Sequence, residues 1–273
     1  MCRFVHSGGR ILEYCGLFSN LETKKYGRTA AFLGSIDSTN NYIKKLEHYL
    51  PDGFVALAKK QENGRGRSGK EFYSPSGHGL YMSVLVKDEK AVSDSLATVK
   101  ACLAVCRAID RVTGTGKDNG VGIKWVNDIY YKGRKLCGIL CERSEGADGK
   151  MYVVIGIGIN LFFDRGEAPP YLREIAGSVF DVSGVEYYAP TLCAEIVNEL
   201  EKLLSYENDS EKVLNEYRSR SIVLGQEISV IHGDEEKRAA ALDICEDGSL
   251  LVRYENGFTS KLCGGEISIR RSW

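Results

Sequence analysis

The chain has no long hydrophobic run, no excess charge and no paired-thiol motif, and each absence excludes a class of protein. Its longest apolar stretch, residues 151–163, contains Asn160 and is shorter than the roughly 20 residues a membrane-spanning helix needs. The N-terminus, Met-Cys-Arg-Phe-Val-His-Ser, lacks the apolar core of a secretory signal. Lys and Arg number 36 against 37 Asp and Glu, a formal charge of −1, so no global basic field is available to hold DNA or an anionic membrane. Nine cysteines include no Cys-x-x-Cys pair, and none of the four histidines lies near Cys102/Cys106 or Cys137/Cys141, which argues against zinc. Cys102 and Cys106 read instead as small apolar residues on a buried helix face. Free thiols in this number fit a reducing cytoplasm. Internal repeats and low-complexity tracts are also absent. What remains is a globular chain of 273 residues, enough for one large domain or one plus a small one, with a core that needs no staples.

Periodicity predicts the elements. Residues 1–28 form a short N-terminal segment with a helix over 11–21. Residues 29–36 read as a strand, and Asp37-Ser38-Thr39-Asn40 offers N-caps for a helix over 41–50. Strands are expected over 54–59 and 79–86, and the longest helix over 91–112. Three strands follow, over 122–126, 134–142 and 151–160, and 163–178 reads as an irregular surface loop. Helices over 191–206 and 211–220 complete a unit spanning 29–220. From Ser221 the composition changes to short alternating strands with turns at Gly233-Asp234, Asp247-Gly248 and Asn256-Gly257, which predicts a small β-barrel over 221–273.

The stretch Gln61-Glu-Asn-Gly-Arg-Gly-Arg-Ser-Gly-Lys70 packs three glycines and three cations between Gly64 and Lys70. It has almost no apolar surface to bury. Its glycines permit close backbone approach to a ligand, and Arg65, Arg67 and Lys70 supply donors for carboxylate and phosphate. With only Glu62 and Glu71 as nearby acids, the loop is expected to be ordered by arriving anions. A P-loop is excluded because Glu71 stands where Ser or Thr must ligate magnesium, and a dinucleotide fingerprint because turn and strand chemistry, not a helix, follows.

Two further constellations lie downstream. In Lys124-Trp-Val-Asn127-Asp128 the last two residues fall at a strand-to-turn junction suited to a metal-bound phosphate. Lys135 enters a strand of buried-type residues (LCGILC) and is either snorkelling at its end or aimed at an anion. In Val153-Val-Ile-Gly156-Ile-Gly158-Ile-Asn160, glycines alternate along an apolar strand, which marks close approach by a ligand or tight sheet packing.

Together Ser38-Thr39-Asn40, Gln61 with GRGRSGK, KWVNDIYYKGRKLCGIL, GIGIN and the terminal Gly264-Gly-Glu-Ile-Ser resemble biotin protein ligases, in that family's order and spacing from about residue 30 onward. The resemblance implies an α+β fold: a mixed β-sheet flanked by helices, of the class II aminoacyl-tRNA synthetase/biotin ligase type, with a C-terminal SH3-like barrel. It implies activation of biotin by Mg-ATP to biotinyl-5′-adenylate, then transfer to a lysine of a carboxylase's biotin carrier domain. Lys135 would bridge the biotin carboxylate and the α-phosphate, with Arg65 and Arg67 clamping those anions. Ser38, Thr39, Asn40, Gln61, Gly64, Gly66 and Gly138 would complete the biotin site. Lys70, Phe72, Asn127, Asp128 and Asn160 would contact ATP, and Asp128 would meet magnesium. Val126 and Phe72 replace the family's usual proline and tryptophan, which bears on adenine stacking. The family's winged-helix DNA-binding domain has no room in about thirty residues, so no DNA partner is expected. A sheet-edge homodimer is compatible with the family. Lipoate- or octanoate-type ligases share the fold and a lysine, but the GRGRxG loop and GGEIS ending stand against them. A catalytically silent biotin-binding regulator would not require Lys135, Arg65 and Arg67.

Overall fold

One face of the main sheet carries the larger core, and the other mixes alanine, serine and glycine with bulkier residues such as Leu33, Leu85, Tyr152 and Val154; the site lies where the glycines of that second face fall. The computed structural model describes residues 3–7, 19–116, 120–185, 189–205, 209–232 and 235–269. Eight strands form the sheet: β1 (Arg3–Ser7), β2 (Thr29–Ile36), β3 (Val55–Gln61), β4 (Gly79–Val86), β5 (Val121–Lys124), β6 (Asp128–Tyr131), β7 (Arg134–Glu145) and β8 (Met151–Asn160). They run in the order β1-β2-β3-β4-β8-β7-β6-β5, parallel from β1 to β3 and antiparallel beyond, so the sheet is mixed as expected. On β8, Ile155, Ile157 and Ile159 join the larger core, while the intervening Gly156 and Gly158 fall on the other face.

The helices divide between these faces. Helix α1 (Thr39–Leu46) buries Ile43 against Ala31, Phe54, Ala56, Leu85 and Val154 on the small-residue side. After the short α2 (Glu89–Ser93), helix α3 (Ala97–Thr113) is buried against the large-residue face. The brief α4 (Phe180–Ser183), then α5 (Ala189–Leu204) and α6 (Ser210–Arg220), follow in the chain, and α5 and α6 pack on α3. Cys102 and Cys106 are fully buried on α3, as their spacing predicted, and the described cysteines are all free. Arg107 of α3 bridges Glu199 of α5 and Glu216 of α6, tying the helical layer together.

A second, antiparallel sheet holds β9 (Glu227–His232), β10 (Glu235–Ile244), β11 (Leu250–Tyr254), β12 (Thr259–Leu262) and β13 (Glu266–Ile269) in the order β12-β11-β10-β9-β13. Gly248 and Gly257 take positive φ at two of the predicted turns. It docks on the main sheet through Trp125, whose indole Nε1 donates to Gly248 O at 3.0 Å.

Several expectations need correction. The helix read over 91–112 is two helices, because the Asp94 carboxylate takes the backbone N–H of Leu96 at 2.8 Å and pairs with Lys100 at 2.6 Å, competing with helical hydrogen bonds. The helix expected over 41–50 begins at Thr39 and passes into a 3₁₀ turn at Glu47–Tyr49. Asp128 opens an additional strand, β6, rather than ending one. The helix read over 11–21 lies outside the described residues except at 19–21, and the Gly233-Asp234 turn lies wholly outside them. No helix among the described residues is long and apolar enough to cross a membrane.

Candidate active site

The floor of the site is the small-residue face of β7 and β8, and its glycines explain what fits there. A Cβ on Gly156 would collide with the Asn40 amide, and one on Gly158 would come within 2.6 Å of the Phe72 ring. One on Gly138 would meet Lys135 Nζ at 3.2 Å. The two readings left open for the alternating glycines therefore divide: Gly156 makes room for a packed framework residue, and Gly158 for a ring delivered by the cationic loop.

Lys135 is aimed by a local irregularity. Simple period-two alternation would put it on the face of Cys137 and Ile139, which are buried in the larger core. The register between β6 and β7 shifts there, with Ile129 opposite Cys137 but Tyr130 opposite Lys135, so one extra residue turns Lys135 toward the face of Gly138. Its backbone is held from the far side by Ile175 O and Gly177 N, at 2.8 and 2.9 Å. The ammonium lies 2.7 Å from Asp128 Oδ1. That contact is an ion pair without hydrogen-bond geometry, and Asp128 Oδ1 has no other hydrogen-bond partner among the described residues. Snorkelling is thereby excluded: the side chain crosses the site floor.

The loop folds over this floor. Gly66 N donates to Lys70 O, and Phe72 N to Gly64 O, closing a small bridged turn. Gly64 is required because a Cβ would strike Phe72 O and Ser74 Oγ. Arg67 spans two sheets, donating to Asn127 Oδ1 at 3.1 Å and to Gly265 O at 3.2 Å. Asn127 is fixed in turn by its Nδ2 on Ile139 O at 2.7 Å.

Two cavities result. The larger, about 470 Å³, is lined by Arg65, Gly66, Arg67, Lys70, Phe72, Asn127, Asp128, Lys135, Gly138 and Asn160 among others. The smaller, about 20 Å³, is lined by Ser38, Thr39, Asn40, Gln61, Arg65, Phe72 and Gly138 among others. Arg65, Phe72, Gly138 and Leu140 line both, so the two cavities are neighbours across these residues, and the Lys135 ammonium lines the larger one beside Gly138. Every residue assigned above to biotin, ATP or magnesium lines one of them except Gly64, which shapes the loop. Ser38 occupies the N-cap position of α1 but makes no side-chain cap bond, and Thr39 and Asn40 lie inside the helix. Capping is therefore not the role of these side chains. The Thr39 backbone N–H donates to Gln61 Oε1 at 2.9 Å, joining helix to loop.

Sequence reasoning missed part of the larger cavity. Residues 163–178 are more than a surface loop: Phe163, Tyr171, Leu172 and Ile175 form an apolar wall, with Tyr171 64% exposed at the mouth. Gly265 and Ile267 reach in from the second sheet. An exposed Tyr and Ile in one polar stretch were the available signal.

Burial pushes the Cys102 and Cys137 thiols well above their usual range and Cys141 up to about 11, so none of these three cysteines offers a thiolate nucleophile. Burial also pushes the Glu142 carboxyl up, but hydrogen bonds from Lys44 and Asn40 outweigh it and hold the group below the ordinary carboxylate value. No group of three or more His, Cys, Asp or Glu that could hold a metal occurs among the described residues.

A mixed sheet with a glycine floor, a cationic loop above it and an antiparallel C-terminal sheet make up the fold that carries this site. Residues 32–160 match the Biotin/lipoate A/B protein ligase family, and residues 223–270 the Biotin protein ligase C terminal domain. The chain is 30% identical over 246 residues to the Bifunctional ligase/repressor BirA of Escherichia coli, covering 89% of this chain and 75% of that protein. It is 28% identical over 232 residues to the Biotin--[acetyl-CoA-carboxylase] ligase of Paracoccus denitrificans, covering 82% of this chain and 94% of that one. The solved biotin protein ligase from Aquifex aeolicus in complex with biotin and ATP matches with a TM-score of 0.74 at 26% identity, over 89% of this chain and 99% of that chain. This chain belongs to the biotin protein ligase family.

Proposed function

We propose that the protein activates biotin with ATP to biotinyl-5′-adenylate and transfers the biotinyl group to a lysine of a biotin carrier domain, in the cytoplasm. The observation that carries this reading is that the Lys135 ammonium lines the larger cavity beside Gly138, one of the four residues that separate it from the smaller. The smaller cavity, with room for about one water in the free protein, takes the ureido ring once the Arg65 and Phe72 side chains that wall it move aside, and the larger takes the nucleotide, so the biotin carboxylate and the α-phosphate converge on Lys135. Two anions cannot approach unless cations neutralise them together. Lys135 bridges the attacking carboxylate and the phosphate, and Arg65 and Arg67 clamp them from the loop. Lys70, Asn127 and Asn160 orient the nucleotide, and Tyr171 and Ile175 shield its base.

Asp128 fits a magnesium ion bound chiefly by the phosphates, because such ions take one or two carboxylates from the protein. The ion would neutralise the leaving pyrophosphate. Lys135 would leave Asp128 for the substrate anions, freeing that carboxylate. An octanoyl or lipoyl tail would leave Thr39 and Gln61 facing a chain without hydrogen-bonding groups, which favours biotin. The carrier domain and a sheet-edge homodimer are the partners this reading expects.

Biotin-dependent exchange of labelled pyrophosphate into ATP tests the reading. Exchange with biotin and not with octanoate or lipoate is the expected result. Exchange with the fatty acids instead would reassign the substrate, and biotin binding without exchange would make the protein a regulator.

A further inference from the structure

Strand β8 stops short of the residue whose direction matters most. Its pairing with β7 ends at Ile159 opposite Cys137, two residues before Lys135 is reached. The chain leaves the sheet after Asn160 and comes back as a strap, residues 175–177, that lies parallel to β7 with Ala176 opposite Lys135. Both backbone polar groups of Lys135 are used there: its N–H donates to Ile175 O at 2.8 Å, and its carbonyl accepts from Gly177 N at 2.9 Å. On the β6 side the register shifts at this residue, so the ladder there is broken by one extra position. The strap therefore fixes the backbone from which the Lys135 side chain sets out. Its own fastenings lie away from the substrates. Gly177 O accepts from Asn160 Nδ2 at 2.9 Å, and Asn160 O accepts from Val179 N at 2.9 Å. Ser178, only 1% exposed, gives its backbone N–H and its hydroxyl to one oxygen, Asp181 Oδ2, at 2.8 and 3.1 Å. The seat is tight: a Cβ on Gly177 would lie 3.0 Å from Arg134 Cβ and 3.2 Å from both Asp181 Oδ2 and Leu136 Cδ2. Gly177, Ser178 and Asp181 line neither cavity of the site.

We propose that Asp181 is a positioning residue for Lys135: through Ser178 it seats Gly177, and through Gly177 it holds the Lys135 backbone so that the ammonium reaches over Gly138. The inference rests on the role given to Lys135 above. Asp181 serves as an acceptor, so an amide oxygen in its place still takes the Ser178 N–H, whereas a methyl takes nothing. The two buried donors of Ser178 must then find acceptors elsewhere, and the strap shifts with them. A displacement of about 1 Å in a reacting group costs up to about 100-fold in rate.

The test measures biotin-dependent pyrophosphate exchange in wild type, Asp181→Ala, Asp181→Asn and Gly177→Ala, each also in a Lys135→Ala background. Asp181→Ala and Gly177→Ala should lower kcat by about 10- to 100-fold and leave KM for ATP within about twofold. Asp181→Asn should stay within about threefold of wild type, because Ser178 keeps an acceptor. An effect exerted through the lysine disappears with it: in Lys135→Ala the second substitution should change exchange by less than about twofold. Losses of the same factor in both backgrounds, or a raised KM for ATP at unchanged kcat, would overturn the proposal. Hydrogen exchange at single amides needs no substrate. Asp181→Ala should speed exchange at Lys135 and Gly177 by at least about tenfold while the buried amides of α3 keep their rates, and unchanged rates at those two positions would also overturn it. Should Asp181→Ala not fold, Gly177→Ala carries the same comparisons. If wild type shows no biotin-dependent exchange, the biotin reading fails instead, and the amide rates alone decide whether Asp181 holds Lys135.

Discussion

Replacing Lys135 by alanine separates stability from catalysis, because the two effects differ in size. In the free protein the ammonium pairs with Asp128, and the two side chains are 32% and 21% exposed. Solvent screens such a pair, and its removal costs about 1 kcal/mol or less. For a chain of this length that lowers Tm by only about 2–4 °C. On the proposed reading the same charge faces a carboxylate and a phosphate drawn together during adenylation. Removing one preorganised donor from developing negative charge costs about 2.7–4 kcal/mol, or roughly 10²- to 10³-fold in rate. Lys135→Ala should therefore melt within a few degrees of wild type and lose at least about 100-fold in biotin-dependent pyrophosphate exchange. Lys135→Arg should also be impaired, since a planar fork does not reproduce a point charge over Gly138. A folded Lys135→Ala protein with near-normal exchange would refute the assignment.

Three other outcomes follow from the same geometry. Gly156→Ala drives a methyl into an Asn40 side chain held by Leu140 O, Glu142 and Ser83, and should lose about 2–4 kcal/mol in urea unfolding. Gly34→Ala, where a Cβ meets nothing within 4 Å, should change stability by less than about 1 kcal/mol; equal effects would remove the packing argument. Because the Glu142 carboxyl sits below its unfolded value, its stabilising contribution is complete above the ordinary carboxylate pKa, about 4.3, and is lost as pH falls through the lower folded value. Glu142→Gln should flatten that part of the acid limb, and an unaltered limb would show that the group does not contribute. Trypsin should cut the free protein at the exposed Arg65 and Lys70, and biotin with Mg-ATP should slow this cut more than any other. Equal resistance with and without ligand would make the loop a preformed wall rather than a lid.

What could be read from the chain alone was chemistry confined to short segments. The loop from Gly64 to Lys70 has a composition no core can use, so its place outside the core follows without knowing the fold. The alternation of isoleucine and glycine along 153–160 announces a sheet with one bulky and one bare face, because side chains leave a strand on alternate sides. The tertiary structure alone decided which way Lys135 points, since that depends on a register shift against β6 and not on the residue's own neighbours. It also brought Tyr171, Ile175 and Gly265 to the larger cavity and set Ser83 behind Thr39. Asp94 broke the long helical period through a side-chain bond that periodicity does not register. The division has one physical cause. Composition and period act within a few residues, whereas the direction of a side chain and the pairing of its polar groups are settled by partners that only folding brings within hydrogen-bond reach.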